Sequence, residues 1–326
     1  MNERELVMIR IQKRDEYLLK KIGEYGILNN RTIDKIYGGA VQYPVRRRKK
    51  LADEKYIVKN NKYCSLGANG RRYLEEELGM ENIREVASGK YIRTRIGKVA
   101  EILMAIEKMY YTYPSWKLKN RDIVSERKDK YYGEIISKTS GKSYFIYNLG
   151  KIDSTKYVSR AISLKKRYIQ EVRQEIMNKA SNGKMERVIL LAEDKTVMAL
   201  YNESLMSLNV KEQLIIPWQE AGFNLIGKIG SENIEEKVVR YLYKDYDDPD
   251  WAYADYTTSD GQVVVLVTND GEKIVKVKQS EIINRYNRTN KFKLIVVCLE
   301  SQYVKFEKEF KEFSNVRIRT VPDGIL

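Results

Sequence analysis

Short, unbroken apolar runs in the second half of the chain set the tightest limit on its fold. RVILLAE (187–193) shows no alternation of apolar and polar positions, so it suits a strand buried on both faces, as in a parallel sheet. QLIIPW (213–218) is another short strand. KLIVVCLE (293–300), a helix from Ser301 carrying Tyr303, Phe306, Phe310 and Phe313, and NVRIRTV (315–321) together read as a β-α-β unit. YYGEIISK and SYFIYNLG (131–150) read as two strands joined through Thr139-Ser140-Gly141-Lys142, and residues 159–177 as a basic-faced helix. The segment 262–278, QVVVLVTNDGEKIVKVK, reads as a hairpin around Asn269-Asp270-Gly271. The expectation is an α/β half with a mixed, partly parallel sheet.

The 326 residues contain no histidine. This excludes Ser-His-Asp and Cys-His catalysis and any metal site built on imidazole. Cys64 and Cys298 are too far apart in sequence for a zinc knuckle or redox pair. The sequence has neither a phosphate-binding G-x-x-x-x-G-K-S/T loop nor a G-x-G-x-x-G turn, so no nucleotide cofactor is implied. No apolar run is long enough to span a bilayer, and the opening residues lack a signal-peptide core. A cytoplasmic protein without membrane partners is expected.

Charge is unevenly distributed. Residues 1–190 carry 42 basic and 23 acidic side chains, whereas residues 191–326 carry 18 and 22. A lysine-rich genome would have made the last 136 residues basic as well. A polyanionic partner for the first part, double-stranded DNA above all, accounts better for the split.

The first ninety residues read as helix, helix, helix, hairpin, helix. Leu18, Leu19 and Ile22 share a face of the first helix. Asn30 is a plausible N-cap for the second, which Gly38-Gly39 ends. The third starts near Pro44 and runs through VRRRKKLADEK to residue 55, with Val45, Leu51 and Ala52 as its core side. YIVKNNKYCSL comes next as a hairpin around Asn60-Asn61, and ANGRRYLEEELG closes the segment as a fourth helix. Over residues 12–80 this order resembles the winged helix-turn-helix, in which the third helix enters the major groove and the hairpin meets an adjacent groove or the phosphates. The resemblance implies DNA contacts from Arg31, Gln42, Tyr43, Arg46, Arg47, Lys49, Lys50, Lys59, Asn60, Asn61 and Lys62. Five successive cations, Arg46 to Lys50, cannot all face one partner. Arg48 sits where such helices bury an aliphatic side chain, so either its stem lies along the core edge or the register is off by one.

Residues 90–111 form an amphipathic helix with Ile92, Ile96, Val99, Leu103, Ile106 and Tyr110 on one stripe, suited to a homodimer seam or to packing within the chain. The expected organisation is therefore α+β or α/β: a winged helix-turn-helix over 1–88, a linker helix and connection over 89–120, and an α/β domain over 121–326. In outline the arrangement is similar to the replication-relaxation family of plasmid and mobile-element proteins. That resemblance implies a role in replication or DNA relaxation and a C-terminal half related to restriction-endonuclease-like folds.

A nuclease of that kind needs carboxylates for Mg²⁺ and a neighbouring lysine. Glu193-Asp194-Lys195 follows the strand VILLA, but a second acid would have to be Asp129 or Asp153, and SYFIYNLG carries Tyr147 and Asn148 where relatives would carry an acid. Asp194 as a helix cap is the simpler reading. The acidic stretch DYDDPDWAYAD, with Asp245, Asp247, Asp248 and Asp250, lacks the glycine and terminal glutamate of a calcium loop, which leaves a polar surface loop. A tyrosine nucleophile would lack histidine help. The chain is thus expected to be a non-catalytic DNA-binding protein with no metal or cofactor. The alternatives are a divergent Mg²⁺-dependent nickase and a winged-helix regulator whose α/β half senses a ligand.

Overall fold

The computed structural model describes residues 10–39, 42–86, 89–118, 129–153, 155, 157–286 and 293–326, except for the side chains of 281–286. The architecture is mixed α/β. The chain divides into two units, Met1–Ala105 and Ile106–Leu326. The break falls inside the helix that was expected to be a separate linker, and part of the expected connection, 119–128, lies outside the described residues.

In the first unit, helix α1 (Lys13–Tyr25) buries Asp15, Leu18, Leu19 and Ile22, and ends at Gly26 with φ of 86°. A two-residue strand β1 (Leu28–Asn29) leads into helix α2 (Asn30–Tyr37). Its N-cap is Asn29, whose side chain accepts from Thr32 N at 2.7 Å, so the cap lies one residue before the expected Asn30. Next in the chain are helix α3 (Gln42–Asp53) and the antiparallel strands β2 (Ile57–Asn60) and β3 (Tyr63–Leu66). Asn61 takes the positive φ, 36°, that the tight hairpin needs. The three strands form a sheet of order β1-β3-β2. Helix α4 (Ala68–Arg72) widens into a π-type turn over Tyr73–Glu77. At Gly70 a Cβ would lie 2.0 Å from Tyr56 O, so only glycine lets α4 approach the start of the hairpin.

Helix α5 (Lys90–Ile106) buries Ile96, Val99, Leu103 and Ile106 within the chain, leaving Ile92 as the exposed member of the expected stripe. Tyr110 is not on the helix. It opens strand β4 (Tyr110–Pro114), because the Tyr-Tyr-Thr-Tyr run favours a pleated surface and finds an antiparallel partner in β5 (Gly133–Ser137).

The second unit holds two sheets. In the first, β4, β5 and β6 (Ser143–Gly150) are antiparallel, and β6, β7 (Arg187–Ala192) and β8 (Glu212–Pro217) run parallel in the order β4-β5-β6-β7-β8. Helices α6 (Val158–Ser181) and α7 (Lys195–Glu203) make the crossovers. They cover one face, with Ile169, Val172 and Val197 against Tyr147, Val188 and Leu190. Helix α8 (Glu220–Ser231) lies by β4 and β5, where Tyr110 OH donates to Ile226 O at 2.8 Å and Ser137 Oγ to Gly230 O at 2.6 Å.

The second sheet has the order β12-β11-β10-β9, comprising β9 (Tyr256–Thr258), β10 (Gly261–Val265), β11 (Leu294–Leu299) and β12 (Val316–Val321). The last three are parallel and β9 is antiparallel to β10. Val264, Val296 and Leu294 face helices α10 (Gly271–Tyr286) and α11 (Tyr303–Phe310), while Val263, Val265 and Ile295 face helix α9 (Ile234–Leu242). Burial on both faces is why these strands read as unbroken apolar runs.

The expected hairpin over 262–278 is corrected by this sheet. β10 pairs back to β9 through Ser259 and Asp260, and the chain after Asp270 forms helix α10. Ile274 and Val277 are buried at a spacing of three, and Asp270 caps the helix by accepting from Glu272 N at 2.9 Å. Asn-Asp-Gly can serve as a hairpin turn or a helix start.

Asp270 also joins the sheets. It accepts from Gln213 N at 3.0 Å and bridges Leu214 of β8. Nearby, Lys273 lies between Asp255 (2.6 Å) and Glu235 (3.5 Å). Burial alone would depress the Lys273 ammonium, but Asp255, Glu235 and Asp270 outweigh it and hold the group well above its ordinary value. Burial pushes the Asp270 carboxyl up to about 7, against the opposing effects of Lys273 and two backbone N–H groups. The folded state thus binds this proton more tightly than the unfolded chain, where the pKa is 3.8. The Asp270 contribution to stability is therefore lost as pH rises from about 4 to about 7, by roughly 1.4 kcal/mol for each pH unit crossed. Denaturant unfolding across that window should show Asp270→Asn flattening the pH dependence relative to wild type. Equal slopes for the two proteins would place the Asp270 carboxyl at its ordinary value.

Candidate nucleic-acid interface

Helix α3 has two contrasting faces. Pro44, Arg47, Arg48 and Leu51 are buried at the i, i+3, i+4, i+7 spacing of a core stripe. Gln42, Tyr43, Val45, Arg46, Lys49, Lys50 and Asp53 are exposed. Val45, expected in the core, is 50% exposed, and Ala52 is half-buried.

Arg47 is accordingly removed from the DNA-contacting set. Its Nε donates to Asp15 Oδ1 at 2.9 Å, its Nη2 bonds Asp15 Oδ2, and Nη2 also donates to Arg10 O at 2.8 Å. Asp15 is fully buried and additionally accepts from Tyr37 OH and Gln12 N, both at 2.7 Å. Burial, reinforced by the Asp15 carboxylate, drives the Tyr37 phenol far above its ordinary pKa. Arg48 is buried too: Nη1 donates to Asn30 O at 3.0 Å and meets Asp34 at 2.7 Å. Two of the five consecutive cations are internal struts, and three remain outside. The sequence held the signal, because Asp15 is in register with Leu18, Leu19 and Ile22 on the buried face of α1 and so requires a buried cation.

The remaining candidates lie at the surface. Arg46 Nη2 donates to Gln42 Oε1 at 2.7 Å, and Tyr43 OH donates to Gln12 Oε1 at 2.9 Å. At the hairpin, Lys59, Asn60, Asn61 and Lys62 are exposed. Asn30, the expected cap, instead stitches this turn to α2: its Nδ2 donates to Asn61 O at 2.8 Å and its N–H to Lys62 O at 3.0 Å. Arg31, the next residue in the chain, is exposed. Because Arg48 holds the Asn30 carbonyl, α3, α2 and the hairpin meet at one asparagine.

In the second unit, the chemistry-bearing residues are engaged structurally. Asp194 caps α7 through Val197 N at 2.7 Å and accepts from Ile152 N at 2.8 Å. Glu193 accepts from Asn148 Nδ2 at 2.8 Å, and Lys195 is exposed. Asp129 pairs with Lys179, and Asp153 closes its own turn through Thr155. Asp250 accepts from Gln262 at 3.0 Å in the polar loop beside β9. Among the described residues, no three acidic or thiol side chains converge as a metal site. The cations of α6 are largely engaged within the unit: Lys165 donates to Leu149 O, Arg167 pairs with Glu171, and buried Arg173 holds Tyr201 O at 2.8 Å with its guanidinium 4.3 Å from the Tyr201 ring centre. No helix among the described residues is long and apolar enough to cross a membrane.

No family model, no curated protein and no solved structure matches this chain.

Neighbouring arginines should behave differently on truncation. Arg47→Ala strands a buried carboxylate and should cost about 3–5 kcal/mol in denaturant unfolding, whereas Arg46→Ala should stay within about 0.5 kcal/mol of wild type. Similar losses for both would return Arg47 to the surface. In the second unit, Asp194→Ala should cost about 1–3 kcal/mol, because it removes a cap and the anchor of Ile152. Glu193→Ala should cost less, since Asn148 Nδ2 keeps Tyr132 OH at 3.0 Å as a partner. The reverse order of losses would contradict these hydrogen-bonding roles.

Proposed function

We propose that this chain binds double-stranded DNA through its first unit, in the manner of a winged helix-turn-helix, and acts in replication, segregation or mobilisation of a plasmid or related mobile element. Helix α3 is the groove-entering element, and the β2–β3 turn with Arg31 is the backbone contact. The observation that carries this reading is the sorting of the cation run: with Arg47 and Arg48 engaged internally, Gln42, Arg46, Lys49 and Lys50 remain on the outward side of α3. An outward polar and cationic stripe, backed by a core stripe on a helix just before a hairpin, suits major-groove docking. Charge supports it, since residues 1–105 hold 23 basic against 14 acidic side chains. The plasmid or mobile-element setting rests on the sequence resemblance alone.

The role proposed is binding without catalysis. Asp194 and Glu193 serve a helix cap and a buried asparagine, which favours a scaffold over a Mg²⁺-dependent nickase. A ligand-sensing regulator has one observation in its favour, a polar cleft of about 270 Å³ in the second unit whose lining includes Lys142, Lys211, Glu212, Tyr253 and Asp255. Much of that lining is already paired, because Asp255 holds Lys273, Glu212 holds Lys142, and Glu186 holds Lys211.

Salt-dependent binding separates surface cations from internal ones. Each phosphate contact contributes about 0.9 to the log–log slope of affinity against salt. In fluorescence-anisotropy titrations, Arg46→Ala combined with Lys49→Ala should flatten the slope by about one to two without lowering stability. Lys62→Ala should weaken binding about equally on every sequence. An unchanged slope in the α3 variant would move the DNA contact off this helix.

A further inference from the structure

A glutamine on a groove-entering helix ordinarily reads adenine, giving its amide N–H to N7 and accepting from N6–H at its oxygen. In Gln42 part of that pattern is already engaged. Its Oε1 accepts from Arg46 Nη2 at 2.7 Å, one helical turn away on the same exposed side. What the amide still offers is two N–H donors against one remaining lone pair. Arg46 and Lys49 add donors and no acceptor. The Tyr43 hydroxyl hydrogen is committed to Gln12 Oε1 at 2.9 Å, which leaves its oxygen as an acceptor. The exposed acid of α3, Asp53, lies eleven residues beyond Gln42, about 16 Å along the axis and so several base pairs away. The N-terminal half of the exposed face is therefore richer in donors than in acceptors.

Each base pair edge presents a different pattern to such a surface. Guanine shows two adjacent acceptors, N7 and O6; adenine and thymine each show one, and cytosine shows a donor. We infer that helix α3 selects guanine, with Arg46 as the base-reading side chain and Gln42 as the positioning residue that holds its guanidinium toward the groove. The inference rests on the proposed DNA binding by the first unit and adds to it the base that is read. Restraining a long side chain before contact lowers the ordering cost of binding, which is the advantage of tying Arg46 to a neighbour.

The test selects duplexes from a randomised pool with the full chain, then measures anisotropy at fixed salt on the selected duplex and on a copy bearing 7-deazaguanine, which lacks the N7 acceptor. A guanine should recur at a fixed position, and the deaza copy should bind roughly ten- to a hundredfold more weakly. Arg46→Ala should remove the difference between the two duplexes while binding to unselected DNA persists. Gln42→Ala should narrow the difference without shifting selection toward adenine. A recurring adenine whose 7-deaza form binds weakly, with the effect lost in Gln42→Ala, would overturn the inference. Binding with no base preference would also overturn it and leave the proposed function standing. Failure to bind any duplex at low salt would overturn both.

Discussion

A carboxylate with no access to water organises the first unit. Asp15 accepts hydrogen bonds from Arg47, Tyr37 and the Gln12 backbone, tying α1, the end of α2, the middle of α3 and the entering chain around one negative charge. Removing two ions from water is expensive, and a well-packed apolar pair of the same volume is often as stable. What the pair supplies is rotational register. With Arg47 held inward, the helical period of about 100° per residue sends Arg46 and Lys49 outward, and Arg48 reaches back to Asn30 and Asp34. The chemistry offered to a partner is thus decided by an interaction the partner never touches.

The second unit uses buried charge for a related purpose. Its two sheets meet where Asp270 bridges β8 and caps α10, while Glu272 receives the Leu208 N–H at 3.0 Å. Lys273 is shared by Asp255 and Glu235 just inside the same helix. Around these groups lie strands apolar on both faces, which specify depth but little about lateral position. Directional hydrogen bonds to carboxylates supply the missing constraint.

Much of the fold was legible because its signals are local. The apolar runs at 188–192 and 294–299, the Asn61 turn, the Asp194 cap and the terminal β-α-β unit all arise from the residues that form them. A local pattern does not decide where it suits two structures. Asn29 and Asn30 can each cap a helix, and the choice went to Asn29 because the hairpin turn holds Asn30. Thr-Asn-Asp-Gly could reverse a strand or start a helix, and the parallel neighbour β11 settled it. Tyr110 continued a helical stripe by spacing, yet the strand β5 further along the chain claimed it.

At the candidate interface, composition and residue order are enough to give the inventory: a cation-rich third helix, a hairpin with lysines at its turn, and no histidine or nucleotide loop for the commoner chemistries. Which cations face outward is settled in three dimensions, because five adjacent long side chains are equivalent until a neighbouring element supplies a counter-charge. Asp15 and Asp34 supply it from α1 and α2, and so leave Gln42, Arg46, Lys49 and Lys50 to the solvent. The physical reason is the cost of an unpaired buried charge, which a helix can avoid only by turning its paired residues inward.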